Sequence, residues 1–205
     1  MAAVLSTPQD AVNAALVRIG YKLRVGNLYD GSAAAKKSLD IYGQTRDELL
    51  TQNDWVFAER NVALTLLKSA PVAGYVPPNT WDPTTNPPIP WRYEYGYPSD
   101  ALKVRAVKPT PIFIPDYDPQ PFVYATPNDN AYTPARRVIC TMIPASLLVY
   151  TGQVTDLTTW NSDAVELFID ALGRRLAPSL ASLDVMKIQA QLETVDMAVA
   201  EANQG

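Results

Sequence analysis

Hydrophobic and polar positions change their period twice along the chain. From residue 7 they follow helical spacing. Thr7 suits an N-cap, Pro8 the first helical position and Asp10 the acidic position of a capping box. Val12, Leu16 and Ile19 recur on one face, and Gly20 can end the helix. A second helix is expected from near Ser32. Ala35, Leu39, Tyr42, Arg46 and Leu49 or Leu50 share its apolar face, with Lys36, Lys37, Asp40, Asp47 and Glu48 mostly off it. Trp55 and Phe57 are expected to close over this pair of helices.

Period two then takes over. Trp91 to Tyr95 alternates, as does Ala101 to Val107, where Leu102, Val104 and Ala106 are expected on one face. Tyr97-Pro98-Ser99-Asp100 reads as the turn between them. Phe122 to Tyr124, Val138 to Ile143 and Leu147 to Tyr150 are further expected strands. The helical period returns from Ser162 or Asp163, with Val165, Phe168, Ile169, Leu172 and Leu176 on one face and an expected end by Pro178. A final helix is expected from Leu183 or Asp184, with a narrow seam of Val185, Ile188, Leu192, Val195 and Val199.

Proline placement sharpens the division. Of 18 prolines, all but Pro8 and Pro178 fall between Pro71 and Pro144. Proline lacks a backbone donor and interrupts helices. The expected fold is therefore α+β: a helical bundle built from both chain termini, residues 1–60 and 156–205, with a proline-rich β subdomain, residues 61–155, inserted in the middle. The segments 71–90 and 109–121 read as long loops, of the kind that serve function or await a neighbour.

Composition narrows the classes of function. At 47% hydrophobic and 19% charged residues, the chain can build a core. A net charge of -4 and a pI near 4.8 disfavour wrapping of DNA through phosphate neutralisation. The single cysteine, Cys140, excludes an internal disulfide, and its apolar neighbours Val138, Ile139 and Ile143 point to buried packing. Residues 1–10 lack the features of a secretory signal, and no apolar run approaches the roughly 18 residues of a membrane span. A soluble chain made in a cytoplasm is expected.

Candidates for catalysis are few. There is no histidine, which removes the usual general base and the commonest metal ligand. No glycine-rich phosphate loop is present, and no cofactor or metal is expected. Asp116 and Asp118 read as turn residues rather than cation ligands. Asp47 and Glu48, adjacent on a helix, point in different directions and read as a solvated face.

The most distinctive cluster is aromatic. Trp91, Tyr93, Tyr95 and Tyr97 share one face at period two, either as a strand packed on the bundle or as a stacking platform for bases or sugars. Arg92 and Glu94, on the other face, read as solvated. Trp160 is expected in the core or at a contact. Met186 and Met197 lie off the seam of the last helix, and would suit an adaptable protein interface if exposed. The candidate interface residues are thus Trp91, Tyr93, Tyr95, Tyr97, Met186 and Met197.

Four segments, in order, carry a resemblance: Ala11 to Gly20; Tyr42 to Leu50 with Trp55 to Ala58 after it; Tyr95 to Val104; and Tyr150 to Asp156 with Trp160 and the following helix. Together they resemble the tail tubular protein A family of short-tailed phages, the head-to-tail adaptors. The resemblance implies a non-enzymatic structural subunit of a virion neck, assembled in the host cytoplasm. It implies a homo-oligomeric, twelvefold ring that docks on the portal protein and receives the tail nozzle. Tail fibres or tailspikes attach at the side in that family, and genomic DNA passes through the centre without sequence-specific binding. No site residue is carried over. Three rival readings stand beside it: another neck ring such as a head-completion or stopper protein, a carbohydrate-binding module using the Trp91 to Tyr97 aromatics, and a wall hydrolase with paired carboxylates.

Overall fold

A computed structural model describes residues 6–22, 24–75, 80–109, 123–142, 144 and 146–180. The fold is α+β, with helices and antiparallel sheets. Two compact units divide the chain: Met1–Asn53 with Val154–Gly205, and Asp54–Gln153.

The first unit holds α1 (Pro8–Arg18), α2 (Ala33–Gln52) and α3 (Ser162–Leu180). The capping box at the start of α1 forms as its residues dictate. The Asp10 N–H donates to Thr7 Oγ1 at 3.1 Å, and the Thr7 N–H donates back to Asp10 Oδ2 at 3.0 Å. Gly20 follows the helix at φ 73°, a conformation suited to glycine. Ser32 caps α2 by accepting the Ala35 N–H at 3.2 Å. Asn161 caps α3, accepting the Ala164 N–H at 3.0 Å, one residue before the expected cap.

α3 packs against both α1 and α2. Its buried stripe is Ala164, Phe168, Ile169, Leu172 and Leu176, and it meets Val12, Ala15, Leu16 and Ile19 among the buried residues of the unit. Phe168 sits edge-on to Tyr42 at 5.2 Å and against Trp160 at 5.5 Å, so Trp160 is core. Arg18 pairs with Glu166 and Asp170, and Arg175 pairs with Glu48. Glu48, its side chain 42% exposed, thus keeps the expected solvent contact while tying two helices together.

Two helical expectations need correction. Leu39 is 43% exposed, and Ser38 and Thr45 are buried in its place. The seam of α2 is Ala35, Ser38, Tyr42, Thr45 and Leu49, a strict 3–4 alternation that admits small polar residues. Thr45 satisfies its hydroxyl by donating to the Ile41 carbonyl at 2.8 Å and accepts from Arg175 at 3.2 Å. Pro178 does not end α3, which runs to Leu180. Lying in the last turn, it costs one backbone hydrogen bond and leaves the turn standing. The expected helix from Leu183, and the segment 110–122, lie outside the described residues.

The second unit carries β1 (Glu59–Ala63), β2 (Leu66–Ser69), β3 (Tyr93–Gly96), β4 (Ala101–Pro109), β5 (Tyr124–Ala125), β6 (Asn128–Asp129), β7 (Arg136–Thr141) and β8 (Ser146–Gly152). One antiparallel sheet has the order β1-β8-β4. The other has the order β2-β3-β7-β5, with β6 paired to β7. Trp55 and Phe57 belong to this unit, with their rings 5.8 Å apart. The two sheets share one core: Tyr95 and Ile139 from one, Val107, Leu148 and Tyr150 from the other.

Strand β4 departs from simple alternation. Register shifts fall between Ala101 and Lys103 and between Val104 and Ala106. Each bulge adds a residue and flips the parity. Ala101, Val104 and Val107 therefore face the core, not Leu102, Val104 and Ala106.

Candidate functional site

The aromatic residues do not form one platform. Strand β3 begins at Tyr93 and ends at Gly96, so Trp91 and Tyr97 flank it. Tyr95 is 2% exposed and lies in the inter-sheet core, with Tyr93 stacked on it at 6.4 Å. Tyr93 and Tyr97 pack partly buried against the same core. Half-buried Trp91 donates its backbone N–H to the Pro88 carbonyl at 2.9 Å. The packing of this face is against the opposite sheet. Met186 and Met197 lie outside the described residues.

The other face of β3 holds what sequence reasoning missed. Glu94 is fully buried, not solvated. It stands opposite Lys68 on β2 and Cys140 on β7. Lys68, 7% exposed, pairs with Asp129 of β6, itself 5% exposed. The Lys68 ammonium also donates to the Pro83 carbonyl at 2.9 Å and lies 3.6 Å from Glu94 Oε2. At that distance it is an ionic neighbour of Glu94 rather than a hydrogen-bond donor, and both Glu94 oxygens are without a hydrogen bond. Tyr132 closes the cluster, with the Lys68 ammonium 4.9 Å and the Arg136 guanidinium 3.7 Å from its ring centroid.

The charges follow from this geometry. Burial pushes the Glu94 carboxyl up to about 7; Lys68 opposes the rise and Asp129 adds to it. Burial also works to raise Asp129, but hydrogen bonds from Lys68 and from the Ala131 N–H, at 2.9 Å, outweigh it and hold Asp129 below the ordinary carboxylate value. Lys68 is held charged: burial opposes its proton, and Asp129 more than compensates. Burial pushes the Cys140 thiol up to about 12, which keeps it protonated and inert.

A charged lysine has no lone pair for nucleophilic attack, and Lys68, Glu94 and Asp129 are all buried. The cluster ties β2, β3, β6 and the 80–90 segment together. Two signals in the sequence mark it: a lysine in the short apolar stretch Leu66-Leu67-Lys68, and a glutamate between two tyrosines. Glu94 reads as solvent-facing charge, because nothing local announces that a loop covers that face.

The covering loop is itself ordered by short-range bonds. Asp82 accepts the N–H and hydroxyl of Thr84 at 2.8 and 2.7 Å, and Asn86 Oδ1 accepts the Asp82 N–H at 3.0 Å. The Trp81 indole N–H donates to the Pro87 carbonyl at 2.9 Å. Residues 80–90 are thus held within a single chain. Between this loop and the β6–β7 turn lies a groove of about 350 Å³ lined by Trp81, Asn86, Asn128 and Asp129 among others.

A third arrangement joins distant parts of the sequence. The Tyr150 hydroxyl donates to Asp100 at 3.0 Å, and the Gln153 N–H donates to the Asp100 carbonyl at 2.8 Å. Gly152 passes so close that a β-carbon there would lie 2.8 Å from Arg60 Cγ and 3.4 Å from Asp100 Oδ2.

Among the described residues no group of three or more cysteine, aspartate or glutamate side chains is placed to hold a metal ion. Asp116 and Asp118 lie outside them. No helix among the described residues is long and apolar enough to cross a membrane. No protein-family model matches the sequence, and no curated protein does.

Proposed function

We propose that the chain is a non-enzymatic structural subunit of the neck of a short-tailed phage, a head-to-tail adaptor forming a ring between portal and tail nozzle. One observation carries the reading. The segments that resemble the adaptor family fall on α1, on α2 and the short turn after it, on the β3–β4 turn and on the passage from β8 toward α3. The last two, some fifty residues apart, are bonded to each other through Asp100 with Tyr150 and Gln153.

In this reading the helices of both chain termini make one bundle and the proline-rich β segment is inserted into it. Contacts of α3 with α1 and α2 support that arrangement. Copies meet head-to-tail around a closed ring, twelvefold as in the family, through a heterologous interface that rotation closes. The portal protein takes one face and the nozzle the other, with fibres or tailspikes at the side and genomic DNA in the central passage. The lack of histidine supports a subunit without catalysis. The acidic balance of the chain supports a passage that does not grip phosphate.

Gold-labelled antibodies raised against the purified protein test the location. They are expected to mark the junction of head and tail on virions. Label confined to fibre tips, or absent from particles altogether, overturns the reading.

A further inference from the structure

Lys68, Glu94 and Asp129 come from three different strands, β2, β3 and β6, and all three are buried. The Lys68 ammonium contacts Asp129 Oδ2 directly, and Glu94 Oε2 stands 3.6 Å from the same nitrogen. The other oxygen of Asp129, Oδ1, accepts the Ala131 N–H at 2.9 Å. The Pro83 carbonyl and the Tyr132 ring lie against the ammonium on its remaining sides.

A structural ion pair does not require the third acid. Lys68 and Asp129 already balance each other in charge. Glu94 adds a buried carboxyl with neither oxygen hydrogen-bonded, which works against stability. A buried acid kept at a cost, beside an amine and a second carboxyl in contact, is a reactive arrangement. We propose that Lys68 and Asp129 condense to an intramolecular amide, with Glu94 as the acid–base group of the reaction.

The ion pair is the state before the reaction. Its ammonium has no lone pair, so one proton first passes from Nζ to Oδ2 along their contact. Burial works against the charge on both partners, which brings the neutral amine and neutral acid within reach. The fold holds the two groups together, so the step needs no encounter. Nζ then attacks Cγ, and the Ala131 N–H stabilises the charge that gathers on Oδ1. Glu94, which burial helps to keep protonated, gives its proton to Oδ2 and takes one from Nζ. The Cγ–Oδ2 bond breaks, one water leaves, and the Nζ–Cγ amide remains. The balance needs no co-reactant, and Glu94 ends as it began. Each chain reacts once, on itself. The product is a covalent tie between β2 and β6, and the inference does not depend on the ring reading.

The test is intact-mass spectrometry of the full chain, denatured after overnight incubation of the folded protein near neutral pH. The wild type is expected to be lighter than its sequence by one water. Tryptic digestion is expected to leave the bond after Lys68 uncut and to yield a branched peptide joining Lys68 to Asp129. E94Q, which keeps the shape of the acid, and K68R, which keeps the charge, are expected to retain the full sequence mass. The wild-type measurement stands whether or not either variant folds. A wild type of unaltered mass overturns the proposal. So does a water lost between other residues, or complete loss of water in E94Q or K68R.

Discussion

Tyr150 donates its hydroxyl to Asp100 at 3.0 Å, and so ties strand β8 to the turn fifty residues before it. Burial raises the tyrosine's pKa and the bond to Asp100 raises it further, so the phenol stays protonated as a donor at any ordinary pH. Tyr150 is also one of the five residues of the inter-sheet core. Y150F keeps the ring and removes only the donor. It is expected to lower stability in urea by about 1–2 kcal/mol, the scale of a partly buried bond to a charged group. An unchanged midpoint would show that the bond is not needed at this joint.

Stability is expected to fall as pH rises through about 7. The folded-state pKa of Glu94 lies above its ordinary value of 4.5, so the native state binds the extra proton between those values. Its stabilising effect is complete below about 4.5 and is lost as pH climbs through 7. The full loss is about 3 kcal/mol, since each tenfold difference in proton affinity between folded and unfolded chain is worth roughly 1.4 kcal/mol. E94Q is expected to flatten the profile between about pH 5 and 8 in urea titrations, by removing the titrating group. A wild-type profile already flat across that range would contradict the buried position of Glu94.

Lys68 supplies the positive charge of that cluster. K68M at about pH 6 leaves Asp129 buried without its cation and is expected to cost about 3–5 kcal/mol. K68M/D129N removes the stranded charge while keeping an oxygen for the Ala131 N–H, and is expected to recover at least half of the loss. The Pro83 carbonyl also loses its donor, so amide exchange at Thr84 to Asn86 is expected to quicken in both variants. Thermal melts of K68M that match the wild type would show that the cluster does not hold this unit together.

Gly173 lies where α3 meets α1. A β-carbon there would sit 3.1 Å from Ile19 Cγ2 and 3.5 Å from the Ala15 carbonyl. G173A gains up to about 1 kcal/mol of helix propensity and loses a similar amount to that contact, so it is expected to be near neutral. G173V adds branching that the contact cannot absorb and is expected to cost about 1–3 kcal/mol by urea denaturation. Equal stability of the two variants would mean that the helices do not approach closely at this point.

How far the sequence was legible depends on how local each cause is. The capping box at Thr7 and Asp10 involves residues three apart, and it forms as read. The buried stripe of α3 was legible because Phe168, Ile169, Leu172 and Leu176 carry it without ambiguity. Helix α2 was not, since positions 38 and 39 both continue the spacing from Ala35. Hydropathy selects Leu39, and the packing selects Ser38. Strands β1 and β2 lack alternation, with every residue of β1 exposed. The bulges in β4 belong to its pairing with β8 and have no signature in Ala101 to Val107 itself. Glu94 was hidden for the deepest reason: its burial depends on Lys68, Asp129 and a loop near Pro83, all remote from it in sequence.

The central claim is that this chain is a ring-forming adaptor on a portal. Native mass spectrometry of the purified protein, alone and after mixing with the portal protein of the same phage, tests it most directly. The account predicts a defined complex with one adaptor copy for each portal subunit, twelve on a twelvefold portal. A protein that stays monomeric and ignores the portal at micromolar concentration would contradict it.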